Sequence, residues 1–454
     1  MVVAETSGDG APRYRMLEPV RQYAREQLEL EETEHARERH ARYYLALAEA
    51  AEPELIGAGQ VAWLKRLATD YANLRAALSW CLDDEGGAKP EERARMGLRL
   101  ASALGRFWGN HGPSEGHVWL EKGLAKSGGA APASLRAKAL NEAGFIAIYH
   151  LDPRAIAMLE EALALFKELG DQSGQAISIN YLAHTTGILA NLDRIRTLRE
   201  EAEALLKEPL EDRWAAAHLL LALGMIAILE RDYEQVVVRI EEALALFREV
   251  GDLRTCAQCL TIMGIAAVGR GDAGRAARVF EETLRLLRQL KDKIGTFYSL
   301  TGAAGVAILR GRPARAARLF GAADALRKAI GHPVQPLKQL NYDYEDYLAT
   351  TRDGLGEAAF KAAFSEGQAL SPEQAIEYGL SADEPAQPVA FVPEESPPAL
   401  SSREREVALL IGRGLTNRRI AKELSISEHT VAAHVRKILK KLGLRSRAQI
   451  PPSS

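Results

Sequence analysis

The sequence predicts an all-α protein: an α-solenoid of stacked helix pairs followed by a small, basic, four-helix C-terminal domain. Three observations carry this. The 454 residues are rich in Ala, Leu, Glu and Arg, 26% charged and only 6% aromatic, a soluble, helix-leaning composition long enough for roughly three domains. A motif recurs about every 40 residues through the middle of the chain. Charge is segregated: from Leu400 to Ile450 there are 12 Lys and Arg against 4 Asp and Glu, a net of +8, which leaves −11 for the rest of a chain whose total is −3. A basic segment of this kind suits a polyanion, although a solvated cationic face is the alternative until a motif decides.

The N-terminal stretch up to position 25 is unlike the rest of the chain. "MVVAE" and "RYRML" read as two short strands around the turn-rich "TSGDGAP", with a helix starting near Glu18. There is no basic region followed by an apolar stretch, so the start is not a secretory signal. Two isolated strands are marginal in water, so a chain that opens on half a hairpin is expected to lack its beginning.

The repeat supplies the next elements. Four stretches superimpose, "LEEALALFKELGD" from Leu159, "REEAEALLKEPLED" from Arg199, "IEEALALFREVGD" from Ile240 and "FEETLRLLRQLKD" from Phe280, and their starting positions are evenly spaced. A looser copy starts at Phe320 and a partial one, "LEKGLAKSG", at Leu120. Before the copies runs a second helical pattern with a small residue in register, at Gly144, Gly224, Gly264 and Ala304. Two helices per unit, packed closely through small residues, make an α-solenoid with a long concave surface, and its units resemble tetratricopeptide repeats of longer period.

Three possible signals within these repeats are read as structural. Gly269, Gly271 and Gly274 spell G-x-G-x-x-G, but no strand precedes them and the equivalent positions one repeat earlier are Leu229, Arg231 and Glu234, so this is an inter-helix turn. Cys256 and Cys259 form a C-x-x-C without a second Cys or His pair at zinc spacing, and are read as small buried side chains. The apolar window from Trp214 to Leu229 contains His218, is flanked by charge and falls short of the roughly 20 residues a membrane span needs. It is read as a buried helix. Three cysteines without framework spacing point to a reducing compartment, and the chain is read as cytoplasmic.

The implied organisation is a hairpin and helix over 1–25, a helical lead-in over 26–92, repeats over 93–331 and an irregular helical cap over 332–380. A linker with five prolines among nineteen residues occupies 381–399, and the basic domain 400–450.

That basic domain carries the chemistry. Ser401 and Glu404 form a capping box ahead of Val407, Leu410 and Ile411, and Gly412 and Gly414 end the first helix. The second starts after Thr416 and puts Ile420 and Leu424 on one face. Ser425, Ile426 and Ser427 make a tight turn, with Ser427 as the N-cap of the third helix. The third helix turns Val431, Val435, Ile438 and Leu442 inward. At 100° per residue its other face holds His429, Ala433, Arg436 and Lys440, flanked by Ala432 and Lys437. A recognition helix needs this division: one face fixed to a core and a basic face free for a groove about 12 Å wide. Alanines permit close approach to base edges, arginine offers a fork to guanine, and the lysines hold phosphates.

At these residues the sequence resembles the LuxR-type helix-turn-helix family. "LSSREREVALLIGRGLTNRRIAKELSISEHTVAAHVRKILKKLGL" carries its L-[ST]-x-R-E, G-[LMY]-[ST]-N, I-A, L-x-[IL]-S, T-V, H and K-L pattern almost throughout. The resemblance implies bases for Ala432, Ala433 and Arg436 and phosphates for Thr430 and Lys440. With the cap and turn positions, the DNA-binding set is Thr416, Asn417, Ser427, His429, Thr430, Ala432, Ala433, Arg436, Lys437 and Lys440. His434 has a packing and a phosphate reading and stays outside it. Arg419 and Ala432 depart from a frequent glutamate and lysine, and Pro451 and Pro452 cut short the fourth helix, commonly a dimer contact in relatives.

"RYRMLEPVRQYAREQL", "YANLRAALSW", the repeats and "EGQALSPEQAIEYGL" are similar to the sensor portions of large bacterial regulators of the MalT and AfsR kind. There a P-loop ATPase precedes this segment, and the opening hairpin would be the last of the intervening winged helix. No G-x-x-x-x-G-K-[ST] is present in this sequence.

The expected function is therefore sequence-specific transcriptional regulation, with double-stranded DNA as partner and the repeats as sensor of a protein or small-molecule effector. RNA polymerase and a second copy of the chain are further expected partners. Two alternatives stay open: an interaction scaffold with a weakened DNA-binding head, or a fragment of an ATPase regulator. No cofactor, metal site, membrane contact or catalysis is expected. Carboxylate pairs such as Glu160-Glu161 and Glu241-Glu242 lie on repeat surfaces, with no nucleophile beside them.

Overall fold

A computed structural model describes residues 2–6, 12–16, 18–27, 30–83, 89–109, 111–148, 152–188, 192–207, 210–331 and 344–381, and near the C-terminus 410, 411, 415, 419, 420, 424, 431 and 435. The chain divides into two compact units, Met1–Val389 and Ala390–Ser454.

In the first unit, β1 (Val2–Thr6) and β2 (Pro12–Met16) pair antiparallel from Val2 opposite Met16 to Thr6 opposite Pro12. Helix α1 (Glu18–Gln27) starts where the sequence placed a helix, and α2 (Leu30–Glu54) comes after it. Next are α3 (Gln60–Thr69), α4 (Tyr71–Leu82), α5 (Pro90–Ala103), the single turn α6 (Gly105–Trp108) and α7 (Pro113–Ser127).

Helix pairs then succeed one another: α8 (Ala133–Ala147) with α9 (Ala155–Leu169), α10 (Gln172–Ile188) with α11 (Leu192–Leu205), and α12 (Arg213–Leu229) with α13 (Tyr233–Val250). They continue with α14 (Leu253–Gly269) and α15 (Ala273–Leu290), then α16 (Lys293–Leu309) and α17 (Pro313–Ile330). The first helices of the pairs begin at Ala133, Gln172, Arg213, Leu253 and Lys293, the solenoid period legible in the sequence. Three helices end the unit: α18 (Tyr344–Leu355), α19 (Glu357–Gln368) and α20 (Pro372–Leu380).

The two helices of a pair have different jobs. The first is buried nearly all round, as in α12 from Ala215 to Ile228, because it packs against its partner and both neighbouring pairs. The second buries a single stripe, as in α15 through Ala276, Phe280, Leu284 and Leu287, and keeps its charges outside. Small residues set the approach. A Cβ on Gly264 would lie 2.5 Å from Phe280 Cζ, and one on Gly144 2.7 Å from Leu159 Cγ. Gly224 meets Ile240 in the same way. The second pair slips by one position. Its inward residues are Ala183 and Leu198, so Leu198 and not Arg199 takes the core place that Leu159 holds in the first pair. Arg199 instead makes an ion pair with Glu230.

The turns repeat the same chemistry. The chain enters the left-handed region at Gly170, Gly251, Lys291 and Gly331 after the second helices, and at Arg231, Gly271 and Gly311 within pairs. Asp212, Asp252 and Asp292 then accept backbone N–H groups at the starts of α12, α14 and α16, while Asp232 and Asp272 do so for α13 and α15. Gly269, Gly271 and Gly274 form one such turn, as expected, and Gly269 leaves room for the Tyr233 ring.

Helices α18 to α20 follow the repeats, and α19 packs closely on α17. Gly321 on α17 faces the Phe364 carbonyl and Gly367 on α19 faces the Arg318 carbonyl so closely that neither site admits a Cβ. Ser371 and Gln374 close a capping box on α20. Buried Arg315 donates to the carbonyls of Tyr378, Gly379 and Ser381 and stacks over the Tyr378 ring.

Cys256 and Cys259 are buried with free thiols, and burial pushes the Cys256 thiol up to about 12. They are core side chains, as the sequence indicated. Among the described residues no helix is long and apolar enough to cross a membrane.

Candidate nucleic-acid interface

The C-terminal unit is built on apolar side chains at the predicted inward positions. Leu410 and Ile411 are helical and buried, and the Leu415 N–H donates to the Leu410 carbonyl at 3.1 Å. Ile420 is helical and fully buried, its carbonyl accepts the Leu424 N–H at 2.9 Å, and neighbouring Arg419 is exposed.

Val431 is 0% exposed and Val435 9%, both helical and one turn apart. Two β-branched residues at i and i+4 fix the side of that helix turned to the core. Every member of the proposed DNA-binding set, Thr416, Asn417, Ser427, His429, Thr430, Ala432, Ala433, Arg436, Lys437 and Lys440, lies outside the described residues, as do His434, Ile438 and Leu442.

A second polar constellation, which sequence reasoning missed, lies in the first unit. Asp252 is fully buried. It accepts from Gln60 Nε2 at 2.9 Å, Trp214 Nε1 at 3.0 Å and Thr255 Oγ1 at 2.7 Å, and pairs with Arg106. Burial alone would raise its pKa, but Arg106 and these donors outweigh it and hold the carboxyl below its ordinary value. Gln60 also donates to the Leu55 carbonyl at 2.6 Å and accepts the Arg254 N–H at 2.9 Å. The start of α3, the turn α6 and the start of α14 are thereby tied together.

Beside this cluster lies a cavity of about 110 Å³ between α10, α12, α14 and α16. Asn180 and His218 line it, with the Asn180 amide nitrogen 3.0 Å from His218 Nδ1. Burial, and then the charge of Arg106, lower the His218 pKa to about 3, so the imidazole is neutral. The available signal was a buried-type helix interrupted by His and Asn, since such polar groups sit in apolar helices only with partners.

Comparison with known proteins bears on the C-terminal unit. Residues 398–451 match the model of "Bacterial regulatory proteins, luxR family". The spore germination protein GerE of Bacillus subtilis is 46% identical over 55 residues, covering 12% of this chain and 74% of GerE. The nitrate/nitrite response regulator protein NarL of Escherichia coli K12 is 48% identical over 50 residues, 11% of this chain and 23% of NarL. Mb0914c of Mycobacterium bovis, which carries the name of an HTH-type transcriptional regulator, is 33% identical over 135 residues. That match covers 29% of this chain and only 14% of the length of Mb0914c. Most of GerE is thus matched at high identity by a stretch whose apolar positions Ile420, Val431 and Val435 are buried, and the chain belongs to the luxR family of bacterial regulatory proteins.

Proposed function

We propose that the protein is a sequence-specific DNA-binding transcriptional regulator, with the third helix of its C-terminal unit entering the major groove and its solenoid sensing an effector. The burial of Val431 and Val435 one turn apart carries the reading. With that stripe inward, helical geometry assigns the outward face to His429, Ala433, Arg436 and Lys440, a basic surface with small residues for close approach. The net charge of +8 over residues 400–450 supplies the salt-dependent part of the affinity and leaves base choice to a few side chains.

The test is a gel shift with the full chain on random-sequence and selected duplexes. Arg436→Ala is expected to lower affinity for the selected duplex by about 1 to 3 kcal/mol and to flatten the preference over random sequence, as loss of a bidentate guanine contact does. A uniform loss on all duplexes would make Arg436 a phosphate residue. No shift of the unsubstituted chain on any duplex at low salt would end the proposal.

A further inference from the structure

The cavity between α10, α12, α14 and α16 has two properties that together specify a ligand. Most of its wall is apolar, with Ile148, Met225, Ile228, Ile262 and Ile265 among the lining residues, a poor host for a chain of ordered waters. Among its polar lining, Asn180 and His218 form a pair with one unmet atom each. Asn180 is 3% exposed and His218 1%, and Asn180 Oδ1 and His218 Nε2 have no hydrogen-bond partner among the described residues. An amide nitrogen can only donate, so His218 Nδ1 accepts from it and the neutral ring carries its proton on Nε2. The Asn180–His218 pair therefore offers one acceptor, Asn180 Oδ1, and one donor, His218 Nε2–H. Leaving both unmet under burial is costly, and a ligand group that meets them recovers that cost.

The charges around the cavity are already paired, which disfavours a charged ligand. Arg106 is paired with Asp252, and Arg254 Nε lies 3.7 Å from the Asp292 carboxylate. Among the described residues lining the cavity, no lone charge is left to compensate an ion brought out of water.

We propose that the solenoid binds a small neutral molecule here, apolar over most of its surface and carrying one hydroxyl or amide group that donates to Asn180 Oδ1 and accepts from His218 Nε2–H. The proposal rests on the sensor reading only for its regulatory meaning; the binding itself stands on the cavity. Trp214 at the start of α12 and Asp252 at the start of α14 join the cluster with Gln60 and Arg106, so an occupant of the cavity presses on the same helices that hold the lead-in to the repeats.

The experiment uses the full chain and three probes of similar shape, benzamide, toluene and benzoate, in saturation-transfer NMR with titration. Benzamide is expected to bind, and toluene and benzoate to bind at least tenfold more weakly. Asn180→Leu, which removes the acceptor, is expected to weaken benzamide at least tenfold and to leave toluene unchanged. Gln258→Trp, which fills the cavity from α14 without touching the Asn180–His218 pair, is expected to abolish binding of both even if the first variant fails to fold. Absence of benzamide binding, equal binding of benzoate, or full retention in Gln258→Trp would overturn the site. Gel shifts on the same preparations separate the two readings: a DNA shift without benzamide binding overturns the site and leaves the regulator standing, and benzamide binding without a DNA shift does the reverse.

Discussion

Two kinds of buried seam hold the first unit together. Within each repeat the seam is apolar and local: a glycine or alanine on the first helix receives a large side chain from the second, as Gly264 on α14 receives Phe280 on α15. At the start of α14 a second seam is polar and distant: Gln60 and Asp252 are 192 residues apart, Arg106 and Asp252 146. The apolar seam recurs because every unit must bury the same face against its neighbours. The polar seam joins α3, α6 and α14, elements far apart in sequence, and its groups must be satisfied one by one. Periodic seams therefore set the spacing of the helix pairs, and the polar seam ties α3 and α6 to one of them.

The largest expected effect breaks the polar seam. Asp252→Ala leaves the Arg106 guanidinium buried without its counter-charge, and breaking a buried pair in this way costs about 3 to 5 kcal/mol. Asp212→Ala is the control at the equivalent repeat position. There the carboxylate accepts only the Trp214 and Ala215 N–H groups at an exposed helix start, and its loss costs about 1 kcal/mol. Chemical denaturation of both variants measures the difference, and equal losses would reduce Asp252 to a helix cap.

Next in size is the apolar seam. Gly264→Val places a branched carbon where Phe280 Cζ lies 2.5 Å from even a single added methyl, and the ring, itself fully buried, has little room to retreat. A cost of about 3 kcal/mol is expected, the upper part of the range for overpacked cores. A Tm unchanged from the parent would mean the helices separate freely, contrary to close packing through small residues.

The contrast explains what was legible in the sequence. The period and the Gly144, Gly224 and Gly264 register were visible because each copy repeats the same packing problem. In the C-terminal unit, the inward stripe at Ile420, Val431 and Val435 came from helical spacing alone. The slip at Leu198 was hidden because "REEAEALL" aligns well by residue type while its phase depends on how α10 meets α9. Asp252 was hidden for the opposite reason. An aspartate stands at the end of each of the four superimposed stretches, at Asp171, Asp212, Asp252 and Asp292, and nothing local marks the one that Arg106 and Gln60 reach from far upstream.

The smallest effect sharpens the polar seam through pH. Glu142 on α8 is partly buried beside Gly105, whose missing side chain makes room for the carboxyl. Burial, outweighing the opposing charges of Arg106 and Lys138, raises its pKa from 4.5 to about 7. A carboxyl raised on folding gives stability that is fully present below the unfolded value and is lost as pH rises through the folded one. Wild-type stability should therefore fall between about pH 4.5 and about pH 7 on account of this group. Glu142→Gln keeps the shape and cannot ionise. The variant should match the parent near pH 4.5 and exceed it by on the order of 2 kcal/mol above pH 7, the residual exposure of Glu142 holding the gap below the full value of the shift. His218 works in the other direction: its depressed pKa withdraws stability as pH falls below about 6.5, equally in both proteins, so it cancels in the difference. Thermal unfolding of the pair across about pH 4 to 8 isolates Glu142, and a gap that does not open with rising pH would place its carboxyl in water and outside the seam.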